Sequence, residues 1–391
     1  HGRQLFKRTD VADNARRLIF DNLKISGILN GADFSDDAVM WKIGAPFCIL
    51  FAWNRKPEGD ETLQVLSPHL DNSTLFLPRL RLDPSRSKTV SVSALKEEPY
   101  ILKTLFRGTE LDLSIMRKLE SRLRDRPTQM ARLGQYWEQE LGLAAGDGYK
   151  VGNQKKEPLK LLAEKGVKLT PKNPRRYFND ASQLTEFDVP KLEAERDLRI
   201  YQTPIVFFPE APGETPQKKR ARLATGSRPV IFCESYIGYS ASGHENPELL
   251  SRYLLVIGNS ALWMFYILMT SSRFGVERRA IYKNDIDGFP IIKLKELLLE
   301  VPAVSDRIFQ LAELLKADEI AGLADIDQFV FDLYRISNSE RQTIRDTLTY
   351  SLPYGKNQLA ARSVPSPKQK HMFLMEVQHQ LTECLSLVGQ K

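Results

Sequence analysis

The chain has little of what most enzymatic chemistry requires. Its three cysteines, Cys48, Cys233 and Cys384, are far apart and odd in number. That excludes a paired disulfide framework, and the apolar runs around Cys48 and Cys233 suit buried thiols of a reducing cytosol. Five histidines are scattered with no metal-ligand spacing. There is no apolar run of about 18 residues, the length a membrane span needs. The longest, over residues 254–270, is interrupted by Gly258, Asn259 and Ser260. No signal-peptide pattern opens the chain, because His1-Gly2-Arg3 leads into a polar stretch. A cytoplasmic protein is expected. No Gly-Lys-Ser/Thr phosphate loop occurs. His69 and His244 accompany no nucleophile signature, and the acidic pairs Asp36-Asp37 and Glu193/Glu195 lack the lysine-bearing strand of a nuclease.

What is present is a chain of 391 residues, long enough for two or three cores, with 42% hydrophobic content and a mean hydropathy of −0.34. The net charge of +7 is modest, but its clustering is informative. Residues 117–126 carry five basic side chains, residues 150–172 carry seven, and Lys218-Lys219-Arg220-Ala221-Arg222 is dense. Basic loops interleaved with aromatics suit a phosphate backbone; a solvated surface explains them equally well.

Along the chain, residues 3–22 read as a helix, with Val11, Ala15, Leu18, Ile19 and Leu23 at helical spacing. The chain thus opens mid-fold, as a fragment or separately encoded piece would. A short strand over residues 25–30 follows. Residues 45–53 form a stronger apolar run that fits a strand buried on both faces, and residues 63–66 are another candidate. This is the tail of an α/β sheet. Residues 95–145 are helical in pattern and end at a turn containing Gly142, Gly146, Gly148 and Gly152. Residues 155–250 are proline-rich, with β-like segments at 203–208 and 229–233 around a loop over 209–227. Residues 249–275 read as one long helix and 286–292 as extended. Two or three helices fill 294–350, residues 352–368 are a linker, and an amphipathic helix over 372–387 closes the chain. The division expected is 1–94, 95–293, 294–350 and 351–391.

Four features invite chemistry. The glycine turn lacks a preceding strand, so a cofactor loop is disfavoured, while main-chain approach to phosphates fits it better. Lys172-Asn173-Pro174-Arg175-Arg176-Tyr177 has arginine where a methyltransferase catalytic loop has a second proline; it reads as a basic loop. Trp41 precedes the strongest strand and is a candidate face for an unstacked base, with packing at a domain seam the simpler reading. Last comes Leu255-Val256-Ile257-Gly258-Asn259-Ser260-Ala261-Leu262, with Arg273-Phe274-Gly275-Val276, Arg278-Arg279 and Ile286-Asp287-Gly288-Phe289-Pro290-Ile291 behind it. Locally, Asn259-Ser260 fits a helix start whose polar groups bond to backbone. In this order, the polar and basic groups also fit contacts to phosphates and a groove. The aromatic stretch Trp263-Met264-Phe265-Tyr266 reads as core.

Taken in order, these pieces resemble the C-terminal part of a γ-type N6-adenine-specific DNA methyltransferase of restriction-modification or phage-defence type. Residues 1–80 are similar to the last third of the catalytic domain, and residues 100–350 to the target-recognition domain with its helical tail. The resemblance implies an incomplete Rossmann-like sheet followed by a mixed recognition domain, S-adenosylmethionine as cofactor and double-stranded DNA as partner. The family's glycine loop and Asn-Pro-Pro-Tyr/Phe motif are missing and would lie upstream of His1. This chain alone is therefore expected not to methylate, and to need an N-terminal methyltransferase half or partner subunit. It would grip the duplex and support the flipped base, with restriction or defence subunits as further partners. The DNA contacts expected are Arg273, Arg278, Arg279, Lys283, Lys218, Lys219, Arg220 and Arg222, then Lys155, Lys156, Arg175 and Arg176, with Asn259 and Ser260 at the helix break. Two other readings stay open: a non-enzymatic DNA-specificity or adaptor subunit of a defence complex, and a protein–protein scaffold whose basic loops are merely solvated.

Overall fold

The computed structural model describes residues 10–31, 47–71, 79–81, 87–150, 166–169, 177–187, 196–211, 221–275, 280–317, 319–351 and 367–388. The chain forms two compact units, His1–Gly355 and Lys356–Lys391. The fold is a mixed α+β one.

The first unit begins with helix α1 (Asp10–Asn22) and strand β1 (Lys24–Asn30), close to where periodicity puts them. With β2 (Cys48–Trp53), β3 (Thr62–Leu66) and β6 (Ser87–Ser91) they build a four-stranded sheet of order β2-β1-β3-β6. Only β1 and β3 run parallel. Phe20, Ile25, Ile28, Leu63 and Val65 form its core. The strand expected to be buried on both faces is instead at the edge: among the described residues β2 pairs with β1 alone, and Phe51 and Trp53 are 50% and 64% exposed. A run of apolar residues reports strand propensity; it does not report which neighbour covers the strand. Strands β4 (His69–Asp71) and β5 (Arg79–Arg81) make a separate ribbon.

Helices α2 (Val92–Glu97), α3 (Ile101–Arg107) and α4 (Glu110–Asp125) follow, then β7 (Met130–Arg132) and a π-helical turn over Gln135–Glu140 that buries Trp137. The glycine turn is a correction. Ala145–Asp147 is strand β8, on the edge of a second sheet of order β10-β13-β12-β15-β8. Its other members are β10 (Phe178–Asp180), β12 (Ile205–Pro209), β13 (Arg222–Thr225) and β15 (Tyr236–Ser240). A Cβ on Gly148 would lie 2.2 Å from the Phe232 carbonyl oxygen, so that glycine serves close backbone packing rather than a ligand. Strand β13 falls within the stretch expected to be loop. Strands β9 (Val167–Lys168), β11 (Thr185–Glu186) and β14 (Val230–Ile231) form a small third sheet.

The predicted long helix is two helices, α5 (Pro247–Gly258) and α6 (Ala261–Thr270), bent by 66°. Every residue of α6 is buried. No single described helix is long and apolar enough to cross a membrane. Trp263 of α6 stacks on Phe208 of β12 with ring centroids 4.8 Å apart, fastening the helix to the sheet. The segment expected to be extended from residue 286 is first a short helix, α7 (Lys283–Asp287), then β16 (Pro290–Ile292), which pairs with β7. Helices α8 (Leu294–Glu300), α9 (Val304–Ala317), α10 (Glu319–Leu333) and α11 (Asn338–Asp346) complete the unit, and α12 (Pro367–Val388) is the second.

Asn259 and Ser260 make the bend. Asn259 accepts a hydrogen bond from the Ala221 amide at 3.3 Å and donates to the Ala221 and Leu255 carbonyls at 3.2 and 2.9 Å. Ser260 caps α6 by accepting from the Trp263 amide at 3.1 Å. Replacing Asn259 with alanine would strip the buried Ala221 amide of its side-chain partner, and a loss of about 1–3 kcal/mol is expected. Urea denaturation of Asn259→Ala measures it; an unchanged midpoint would show that the amide does not hold this bend.

Candidate nucleic-acid interface

The segment leaving α6 carries the basic residues that the sequence singled out, and both its feet are built into the core. At the first foot, the Ser271 hydroxyl donates to Asp285 at 3.0 Å and accepts from the Phe274 amide at 3.1 Å. Lys103 of α3, 1% exposed, donates to the Ser271 and Phe274 carbonyls, each at 2.6 Å. One helical turn on, the Arg107 Nε donates to the Gly275 carbonyl. Gly275 has φ +72°, a conformation glycine adopts without strain. At the second foot, Asp285 also accepts from the Tyr282 amide at 2.9 Å, and the Ile281 amide donates to the Glu210 carbonyl at 2.7 Å. The Arg273 guanidinium lies 4.5 Å from the centre of the Tyr282 ring, so a cation–π contact ties one foot to the other.

Burial is the main cause holding the Lys103 pKa well below its ordinary value; the nearby Arg107 charge lowers it further and Asp285 opposes both.

Beside the second foot opens a cleft of about 1170 Å³ between α4, the π-helical turn and α7. Its floor is a charge network. Arg132 pairs with both oxygens of Glu120 and donates to the Tyr266 hydroxyl and the Gly288 carbonyl, each at 2.8 Å. Lys283 bridges Glu138 at 2.6 Å and Asp287 at 2.8 Å, and Tyr239 donates to Asp287 at 2.6 Å. Burial lowers the Lys283 pKa, but hydrogen bonds to Asp287 and Glu138 outweigh it and raise the value overall. The Tyr239 hydroxyl is held well above its usual pKa, first by burial and then by Asp287. A Cβ on Gly134 would come within 2.6 Å of Asp287, so glycine there leaves room for the carboxylate. Arg124, Gln135, Gln139 and Asn284 line the open side. Amides, guanidinium groups and carboxylates are the groups that match the donor and acceptor edges of bases.

The structure brings Arg273 and Lys283 to the two feet of one segment. Lys283 is committed to two carboxylates. Arg222 lies in β13, with its guanidinium 3.1 Å from the Tyr236 hydroxyl. Asn259 and Ser260 are 1% and 0% exposed. Their polar groups are spent on backbone, so they are interior residues, which corrects the groove-facing expectation. Trp41, Lys155, Lys156, Arg175, Arg176, Lys218, Lys219, Arg220, Arg278 and Arg279 lie outside the described residues. Sequence reasoning missed Lys103 and Arg107, whose i, i+4 spacing on an otherwise apolar helix is the signal that could have found them. It also missed the Glu120–Arg132–Tyr266 group, which spans three distant segments.

The described part of the glycine-rich run does not fit a cradle for S-adenosylmethionine: Ala145–Asp147 is an antiparallel edge strand, and at Gly148 main-chain carbonyls fill the space such a cradle would need. Among the described residues no group of three or more His, Cys, Asp or Glu side chains is placed to hold a metal ion.

No protein-family model matches the chain, and no curated protein matches it. Among solved structures it is similar to the type IIG restriction endonuclease BpuSI, with 12% sequence identity and a TM-score of 0.34. The match covers 91% of this chain and 47% of that one, so the chain spans about half the length of that protein. A likeness of this degree carries no argument about function.

The depressed Lys103 pKa has a testable consequence. Between that pKa and the unfolded value of about 10.4, the unfolded chain holds a proton that the folded chain lacks, so stability contributed by Lys103 rises with pH. The stability difference, wild type minus Lys103→Met, is expected to become more positive as pH increases toward about 10.4. Denaturant titrations over a pH series read that gap; a constant gap would mean the folded-state amine titrates like the unfolded one.

Proposed function

We propose that this chain is the DNA-recognition part of an S-adenosylmethionine-dependent adenine-N6 DNA methyltransferase of restriction-modification or phage-defence type. The observation that carries the reading is the anchoring of the segment from Arg273 to Lys283. A segment that carries Arg273, Arg278 and Arg279 in sequence and whose described ends are held by Lys103, Arg107 and Asp285 is suited to present cations against a phosphate backbone. In this reading residues 95–293 grip and inspect the duplex, and residues 1–94 continue a catalytic domain. Another segment or chain binds the cofactor and performs the transfer.

The chain's own chemistry is then recognition. Arg273, Arg278 and Arg279, with the basic run from Lys218 to Arg222 and with Lys155, Lys156, Arg175 and Arg176, contribute sequence-independent affinity by releasing counterions. The polar cleft beside α7 contributes discrimination, about 1–3 kcal/mol for each well-formed bidentate base contact. Trp41 is assigned to the extruded base, which needs a new stacking surface.

The test is duplex binding over a salt series. Arg278→Ala with Arg279→Ala is expected to reduce the slope of log affinity against log salt by about 2, near 0.9 for each lost phosphate contact. Wild-type chain that fails to bind duplex DNA at low salt, with a methyltransferase half present, would sink the reading. If the chain binds DNA but no such half ever adds methyl transfer, the adaptor-subunit reading takes its place.

A further inference from the structure

The unit Lys356–Lys391 has one described element, α12, and a single helix cannot bury its own apolar stripe. Phe373, Leu374, Leu381 and Leu385 are 68%, 62%, 57% and 70% exposed. The stripe has a specific period. Leu374, Leu381 and Val388 recur every seven residues, and Val377 and Cys384 fall three residues after the first two. This alternation of three and four is the seam of a left-handed coiled coil, whose knobs fit the holes of a facing helix with the same repeat.

The positions flanking the seam decide what faces it. From Phe373 to Val388 they are Phe373, Gln378, Gln380, Leu385 and Leu387, and none is charged; one heptad earlier the seam position is Lys370 and the flanking one His371, so the pairing seam starts at Phe373. Coiled coils that must choose a different partner usually do so with charges at these positions, where like charges would repel an identical helix. Between Phe373 and Val388 no charge opposes self-pairing, and the exposed Phe373 and Leu385 widen the surface that pairing would cover. Glu376 and Glu383 take outer positions of the repeat.

We propose that α12 pairs with α12 of a second copy of this chain. No residue of α12 is among the DNA contacts proposed above, so the proposal stands or falls apart from the proposed function. Sedimentation velocity of the full chain over a concentration series tests it. The weight-average mass is expected to rise from 44.7 kDa toward twice that value. Leu374→Asp with Leu381→Asp places charges in the seam and is expected to weaken association by on the order of tenfold or more. Thr382→Asp, away from the seam, is expected to associate as wild type does. A wild-type chain that stays at monomer mass throughout overturns the proposal. So does association that survives the paired aspartates undiminished, read on protein whose circular dichroism shows the main unit folded.

Discussion

A helix buried on every side must find partners for its ends inside the protein. Helix α6 is such a helix, and its first residues, together with Ser271 and Phe274 of the turn that leaves it, lie away from water. Unpaired backbone groups there would cost several kcal/mol together, on the order of 1–3 each. The neighbouring elements answer that constraint. At the start, Ser260 caps the helix and Asp327 of α10 accepts from the Ala261 amide at 2.6 Å, a carboxylate where the helix dipole favours one. At the end, Lys103 and Arg107 reach from α3 to the Ser271, Phe274 and Gly275 carbonyls. Distant segments are thereby tied to one ten-residue helix.

The same constraint fixes the neighbouring surface. Tyr266 sits just past the middle of α6, and its hydroxyl meets Glu120, Arg132 and Gly288 in the floor of the cleft. Phe289 packs against Tyr266, Trp263 and Tyr334, so β16 and α10 close over the helix. Tyr334 and Tyr253 then spend their hydroxyls on the Pro290 and Ile292 carbonyls. Each aromatic contributes apolar area and one satisfied polar tip, which is how a large ring is buried without an orphaned donor. The cleft and the anchored segment therefore share one rigid base, and their relative position is set by core packing.

Some of this was legible in the sequence. Nine consecutive apolar residues from Ala261 leave α6 little choice but the core. Helices α3, α4, α10 and α12 follow their apolar spacing. The bend between α5 and α6 was harder to read, because Asn259-Ser260 is chemically suited both to capping a buried helix and to meeting a phosphate. Only the location of Ala221, which is 38 residues away, decides between them. The edge position of β2 was hidden for a related reason: sheet order is a long-range property, while apolarity is a local one. Lys103 was overlooked because a lysine in an apolar helix normally sends its ammonium to water. Here its amine meets two carbonyls from a segment 168 and 171 residues further on.

Charge bears directly on the polyanionic partner proposed above. Within the described body, cations are largely matched one by one: Lys24 with Glu61, Arg117 with Glu98, Lys118 with Glu340, Arg132 with Glu120, Arg228 with Glu186, Arg341 with Asp332. Matched surface pairs contribute little field at a distance. The stretches 151–165, 170–176, 212–220 and 276–279 differ, because basic residues outnumber acidic ones in every one of them, and their combined excess is at least as large as the chain's whole net charge of +7. Those stretches, together with Arg3, Lys7 and Arg8 in residues 1–9, carry much of the chain's cationic excess, so attraction to a polyanion centres on them. Condensed counterions are then released only where such stretches meet a phosphate backbone. Under the DNA-recognition reading proposed above, that distribution lets a modest net charge supply the phosphate contacts.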